Sequence, residues 1–129
     1  MARVLVVDDA AFMRKVLTDA LVAGGHEVVG EAGDGDAALA AFRELRPDLV
    51  TLDITMPGKD GLAALRELVE LDPAVRVVIC SALGQETKVL DAIKAGARDF
   101  VVKPFERERL LSAVEKALGQ PAQAATLAR

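Results

Sequence analysis

Large aromatic residues and cysteine are scarce in this 129-residue chain, which has no tryptophan, no tyrosine, four phenylalanines and one cysteine. A single cysteine cannot form an internal disulfide. Without tryptophan or tyrosine the chain also lacks the rings that would sandwich a flavin. The scarcity therefore argues against a disulfide scaffold and against a flavin site.

Long apolar runs and an excess of basic charge are also missing. The longest apolar run, AALAAF at 37–42, is far below the roughly 20 residues that a membrane helix needs. The net charge of −4 provides no basic surface for nucleic acid or anionic lipid, and the first residues do not form a signal peptide. We expect a soluble cytoplasmic domain that binds neither nucleic acid nor membrane.

Short β-branched runs alternate with helix-length segments along the whole chain. Apolar residues make up 52% of it, enough for the dense core of one domain. The predicted strands are 3–7, 27–32, 49–52, 75–80 and 99–103. The predicted helices are 11–24, 36–46, 61–71, 85–96 and 106–118. The strands lack polar alternation, which is typical of strands covered on both faces, so the pattern predicts an α/β fold with a doubly wound parallel sheet.

The first helix shows two neighbouring apolar stripes at i, i+4 spacing, which predict packing against the sheet. One stripe begins at Phe12 and the other at Met13, and both continue to the end of the helix. Cys80 ends the fourth predicted strand and is interpreted as a small buried hydrophobe, because no partner base for a nucleophile lies nearby.

Polar residues end four of the five predicted strands. Asp8 and Asp9 follow the first strand, Asp53 the third, Ser81 the fourth, and Lys103 ends the fifth. Ligands of such sheets bind beyond the carboxyl ends of the strands, where the strand order reverses. We therefore expect three acids, a hydroxyl and an amine to converge at one edge.

Four motifs together resemble the receiver domain of bacterial two-component response regulators. They are VLVVDDAAFMRK, DITMPGKDG, CSALG and AIKAGARDFVVKPF, in the order and spacing of that family. Within the family they are most similar to the single-domain chemotaxis regulators of the thermophile type. The resemblance implies a flavodoxin-like (βα)5 fold with strand order 2-1-3-4-5. It assigns residues 1–118 to the receiver domain and 119–129 to a flexible tail or the start of a linker.

The resemblance implies that Asp53 accepts a phosphoryl group from a histidine kinase as an acyl phosphate. It implies that Mg²⁺ is bound by Asp9, Asp53 and the backbone carbonyl of Thr55, with Asp8 acting through water. Neighbouring carboxylates repel one another unless a cation joins them, so these residues favour a bound cation. Oxygen ligands of this kind suit Mg²⁺. The resemblance also implies that the Lys103 ammonium offsets negative charge on the phosphoryl group during its transfer.

The same resemblance implies a switch. Ser81 is expected to donate a hydrogen bond to the phosphoryl group. Phe100, at a position where the family often has tyrosine, is expected to turn inward behind Ser81. Pro104 is expected to follow a cis peptide bond and so to fix the direction of Lys103. The signal would emerge on the face of the fourth helix, fifth strand and fifth helix, around Phe100, Val102 and Phe105.

The implied partners are a histidine kinase, a flagellar motor-switch protein or other protein target, and a phosphatase. The chain is expected to be a monomer that promotes its own aspartyl phosphorylation and dephosphorylation but is not a turnover enzyme. Two alternatives stay open: a receiver cut from a larger response regulator, and a single-domain phosphorelay intermediate.

Two functions from other classes fit the residues less well. A Mg²⁺-dependent phosphohydrolase of the haloacid-dehalogenase type would carry a second aspartate two residues after its nucleophile, where this chain has Thr55. A flavin-binding module on the same fold would need a Ser/Thr/Gly-rich loop after the first strand, where this chain has two aspartates. The GDG sequence at 33–35 is an incomplete dinucleotide fingerprint and predicts only a turn before the second helix.

Overall fold

The computed structural model describes residues 1–119, in which five strands alternate with five helices. The strands are β1 (Arg3–Val7), β2 (Glu27–Ala32), β3 (Leu49–Asp53), β4 (Val77–Ala82) and β5 (Asp99–Lys103). The helices are α1 (Ala11–Ala23), α2 (Gly35–Leu45), α3 (Gly61–Leu71), α4 (Glu86–Ala95) and α5 (Arg107–Gly119). Apart from Gly119, which ends α5, the predicted tail 119–129 lies outside the described residues.

The strands form one parallel sheet in the order β2-β1-β3-β4-β5, which confirms the predicted doubly wound topology. The order reverses at β1, whose two neighbours are β2 and β3. A crevice beyond the strand ends at such a reversal is the usual ligand site of these sheets. None of the helices in residues 1–119 combines the length and hydropathy of a transmembrane segment.

Successive residues of each strand point to opposite faces, so the sheet divides the core into two layers. In β1, Leu5 and Val7 join the layer under α2, α3 and α4, whereas Val4 and Val6 join the layer under α1 and α5. Cys80 is buried in the second layer, and burial raises the pKa of its thiol to about 12, in agreement with a packing role.

Two predictions about individual elements were wrong. The fourth strand begins at Val77 rather than at 75, because the Val75 N–H bonds the Asp72 carbonyl 2.9 Å away in the turn after α3. Phe12 does not pack against the sheet and is 77% exposed. Helix α1 turns the stripe that contains Met13 and Leu17 toward the core, which leaves the start of the neighbouring stripe in solvent.

Candidate functional site

Three aspartates meet where β1 and β3 end. Asp8 and Asp9 directly follow β1, and Asp53 is the last residue of β3. Because Val7 pairs with Leu52 across the two strands, the residues after them leave the sheet side by side. One carboxylate oxygen of each aspartate lies within 4.8 Å of the others. Asp8 and Asp53 are buried and Asp9 is exposed, so the cluster opens to solvent on one side.

Lys103 joins this cluster from β5. Its Nζ donates to Asp8 Oδ2 at 2.8 Å and lies 3.5 Å from Asp53 Oδ2. The register that pairs Lys103 with Ala82 places the lysine at the carboxyl edge of the sheet. The Lys103–Pro104 peptide bond is cis, as the resemblance implied. The structure therefore brings the predicted acids and the predicted amine together.

Asp53 is held in an environment that disfavours its charge. Burial raises the pKa of its carboxyl to about 6, and the negative charge of Asp8 acts in the same direction. The Thr55 N–H, which donates to Asp53 Oδ1 at 3.1 Å, and the Lys103 ammonium both lower this pKa and offset only part of the effect. One lysine therefore does not balance the carboxylates of the site, and a further cation would be favoured there.

Arg14 and the start of α1 fix the Asp8 backbone and side chain. The Ala10 N–H donates to Asp8 Oδ1 at 2.9 Å, and Arg14 Nη1 donates to the Asp8 carbonyl at 2.7 Å. Arg14 Nε also pairs with Glu31 Oε1 at 2.9 Å, which ties this loop to β2. Sequence reasoning missed Arg14, because its contact is with a main-chain oxygen that no motif identifies.

Ser81 is buried beside the cluster with its hydroxyl unused. It is 1% exposed, and its Oγ has no hydrogen-bond partner among the described residues. Phe100 is partly buried against the layer under α4, and its ring centroid lies 6.0 Å from the Arg109 guanidinium carbon. Ser81 thus retains a free donor at the site, and Phe100 has a position between core and surface.

Comparison with known proteins identifies the family. The model of the response regulator receiver domain matches residues 4–115. The chain is 53% identical to the chemotaxis protein CheY of Bacillus subtilis over 116 residues, which cover 90% of this chain and 97% of that protein. The chain belongs to the response regulator receiver family. The predicted resemblance, including its closeness to chemotaxis regulators, is confirmed.

The solved structures to which the receiver domain is similar include a chain of about its own length and a part of a much longer chain. The CheX–CheY–BeF3–Mg complex of Borrelia burgdorferi matches with a TM-score of 0.87 and 38% identity, over 92% of this chain and 90% of that chain. NtrX of Brucella abortus matches with a TM-score of 0.85 and 42% identity, over 91% of this chain. The receiver domain spans only 26% of that NtrX chain.

An apolar groove of about 380 Å³ lies between α4 and β5 of the receiver domain. Its apolar lining side chains are Leu83, Val89, Leu90, Ile93, Phe100 and Val102. Leu83, Leu90 and Ile93 are exposed by 79%, 54% and 38%, and the grouping of such side chains in one groove is typical of an interaction site. Phe105, which was predicted on the face of α4, β5 and α5, does not line this groove and is partly buried against the layer under α1 and α5.

Gln85 is a second residue that sequence reasoning missed. Its Oε1 accepts from the Ala82 N–H at 2.7 Å, and its Nε2 donates to Thr55 Oγ1. The side chain therefore connects the loop after β4 to the loop after β3 beside the acidic cluster of the receiver domain.

Proposed function

We propose that this receiver domain is the phosphorylation-dependent switch of a two-component system. An Asp53 carboxylate oxygen attacks the phosphorus of a phosphohistidine whose second ring nitrogen is protonated. The phosphorus–nitrogen bond breaks, its electron pair stays on the ring nitrogen, and the histidine leaves as neutral imidazole. The observation that carries the proposal is the cluster of three carboxylates at the strand ends, paired with Lys103. The phosphorylated state of Asp53 is itself the signal, so we assign the domain a signalling role and not that of a turnover enzyme.

The donor set of the cluster fits Mg²⁺. It consists of hard carboxylate oxygens in a cluster whose Asp9 is exposed to solvent, and Mg²⁺ prefers oxygen ligands of this kind together with water. Asp9, Asp53 and the Thr55 carbonyl would hold the ion directly. Both Asp8 oxygens are already hydrogen-bonded, one to Ala10 and one to Lys103, which supports a contact through water instead. Bound Mg²⁺ would offset negative charge on the transferring phosphoryl group.

The remaining predicted residues act after transfer. A phosphoryl group adds negative charge and strong acceptor oxygens, which Lys103 and the unused Ser81 hydroxyl can bind. Movement of Ser81 toward the group vacates space on the α4 side, and Phe100 turns inward to fill it. Pro104, through its cis peptide bond with Lys103, fixes the direction in which the lysine side chain points. These roles follow the family resemblance and are compatible with the positions described above.

The output surface is the face of α4, β5 and α5. The groove supports this assignment, because its three exposed apolar side chains form a continuous surface of the kind that binds peptides. We propose a flagellar motor-switch protein as the target, with a CheA-like histidine kinase as donor and a phosphatase as a further partner. The Borrelia CheY structure, which contains CheX, supports the last partner by analogy.

A different output is the second candidate. The match to about a quarter of NtrX shows that similar domains occur within longer proteins, so a receiver cut from a larger regulator is the main alternative. A phosphorelay intermediate would pass its phosphoryl group to a second histidine protein. Both alternatives share the Asp53 chemistry and differ only in the partner.

Nuclear magnetic resonance of the ¹⁵N-labelled domain tests the chemistry. We expect Mg²⁺ to shift amides around Asp53, and Mg²⁺ with beryllofluoride to extend the shifts through Ser81 to Phe100. Asp53→Ala should abolish the beryllofluoride response, whereas Asp19→Ala, at an exposed aspartate outside the cluster, should not. Absence of any response in the wild type would refute the proposal.

Isothermal titration with a motor-switch peptide tests the partner. We expect tighter binding when Mg²⁺ and beryllofluoride are present. Leu90→Asp in the groove should remove binding, and Val22→Asp is its matched control, because both side chains are about half exposed, at 54% and 57%. Equal affinity with and without beryllofluoride would favour a different output.

A further inference from the structure

Gln85 lies just after β4, and its side chain contacts both the last residue of that strand and the loop after β3. Strand β4 ends at Ala82, and Gly84 adopts a φ of +87°, which turns the chain sharply back toward the sheet. The Gln85 amide then accepts from the Ala82 N–H and donates to the Thr55 hydroxyl. The two loops that it connects flank the acidic cluster.

The Gln85 side chain bonds to other loops and not to the start of its own helix. Gln85 is the N-cap residue of α4, and its side chain makes no capping hydrogen bond. In contrast, Asp34 and Asp60 cap α2 and α3 with their side chains. A side-chain cap normally stabilises a helix start, so α4 begins without this support. The bridge to Thr55 is a side-chain hydrogen bond between the start of α4 and the loop after β3.

Both ends of the bridge lie next to groups that the switch uses. Ala82 directly follows Ser81, so a shift of the Ser81 backbone toward Asp53 would move the Ala82 peptide as well. Thr55 donates its own N–H to Asp53 Oδ1. The Ala82 N–H is also a donor at the same strand end, and it is engaged by Gln85 at 2.7 Å.

We propose that Gln85 is a positioning residue that acts as a latch on the unphosphorylated state. It holds the loop after β4 against the loop after β3, and it must release Ala82 and Thr55 before Ser81 can reach the phosphoryl group. The inference rests on the proposed phosphorylation of Asp53. It adds a restraint whose removal favours the phosphorylated conformation.

The test is beryllofluoride affinity in the presence of Mg²⁺, measured by NMR titration of the whole chain. Gln85→Ala removes both hydrogen bonds, and Thr55→Val removes one while keeping the Thr55 backbone groups. We expect each variant to bind beryllofluoride roughly two- to tenfold more tightly than the wild type, as expected for the loss of a competing neutral hydrogen bond. The double variant should gain no more than the Gln85 variant, because the two side chains share one interaction. Lys88→Ala, at an exposed position one turn into α4, is the control and should leave the affinity unchanged.

A second readout follows the latch directly. The sequence contains three glutamines and no asparagine, so side-chain amide signals are few, and the Gln85 pair is assigned by its loss in Gln85→Ala. We expect this pair to shift when beryllofluoride binds the wild type, and the Ala82 amide to exchange faster in both latch variants.

The outcomes separate the latch from the proposed function. A residue that only supports the structure would weaken binding when removed, so a gain in affinity distinguishes a latch from a scaffold. Unchanged or weaker beryllofluoride binding by Gln85→Ala, while the wild type binds, would overturn the latch and leave the proposed function intact. A Gln85 pair that does not shift would also overturn it. Failure of the wild type to bind beryllofluoride would instead overturn the proposed function.

Discussion

The replacement Asp53→Asn is expected to stabilise the metal-free domain. The carboxyl of Asp53 is 8% exposed, and burial raises its pKa from 3.8 to about 6. The folded state therefore holds the neutral form of this group more tightly than the unfolded state does. Asparagine has the same shape and stays neutral at every pH, so it avoids the cost of a buried charge.

The expected size follows from linkage. A pKa that is about two pH units higher in the folded state, at 1.36 kcal/mol per unit, corresponds to an upper limit of about 3 kcal/mol. The contribution of Asp53 to stability is fully present below pH 4 and is lost as the pH rises through 6. The gain in stability of Asp53→Asn over the wild type should therefore be largest above pH 6 and should vanish below pH 4. Above pH 6 it should correspond to a rise of roughly 10 °C in melting temperature.

Far-ultraviolet circular dichroism is the suitable assay, because the chain has no tryptophan or tyrosine to report unfolding by fluorescence. Urea denaturation of the wild type and of Asp53→Asn is compared at pH 7.5 and pH 4 in a metal chelator. Asp19→Asn, at an exposed aspartate, should change stability little at either pH. An equal or lower stability of Asp53→Asn at pH 7.5, or a gain of the same size at pH 4, would refute the reasoning.

Three further variants test other parts of the structure. Lys103→Met should lower the free energy of unfolding by about 3 kcal/mol, because it leaves the buried Asp8, which is 1% exposed, without its cation. In a urea titration, added Mg²⁺ should restore part of this loss. Gly61→Ala should cost about 3 kcal/mol or more, because the added methyl group would overlap the Asp53 carbonyl; a melting temperature within 2 °C or so of the wild type would contradict this. Phe12→Ala should change the free energy of unfolding by less than about 0.5 kcal/mol, since the ring is exposed; a larger loss in denaturant would mean that it packs after all.

The fold could be predicted from sequence because its determinants are local and repeated. Apolar runs without polar alternation identify strands covered on both faces, and each is followed by a helix-length segment. The carboxyl ends of parallel strands share one edge, which was enough to place Asp53 near Asp8 and Lys103. Strand order was not available from periodicity and came from the family resemblance.

What sequence reasoning missed depends on rotation and on single side-chain contacts. Whether Phe12 or Met13 faces the core is set by a turn of about 100° around α1, which two adjacent stripes cannot distinguish. Phe105 follows the fifth strand closely but packs on the opposite face from Phe100. Arg14 and Gln85 act on main-chain atoms or on a hydroxyl of another loop, and such contacts leave no periodic pattern.

The two sides of the acidic cluster differ in how firmly they are held. On the α1 side, Arg14 connects the Asp8 carbonyl to Glu31, and charged partners keep that loop in place. On the α4 side the corresponding link is the neutral amide of Gln85. If Asp53 is phosphorylated as proposed, we expect the structure around it to shift toward α4, where the restraint is a pair of neutral hydrogen bonds. Under the same proposal, the unequal restraint on the two loops would direct a change at one carboxylate toward a single side of the sheet.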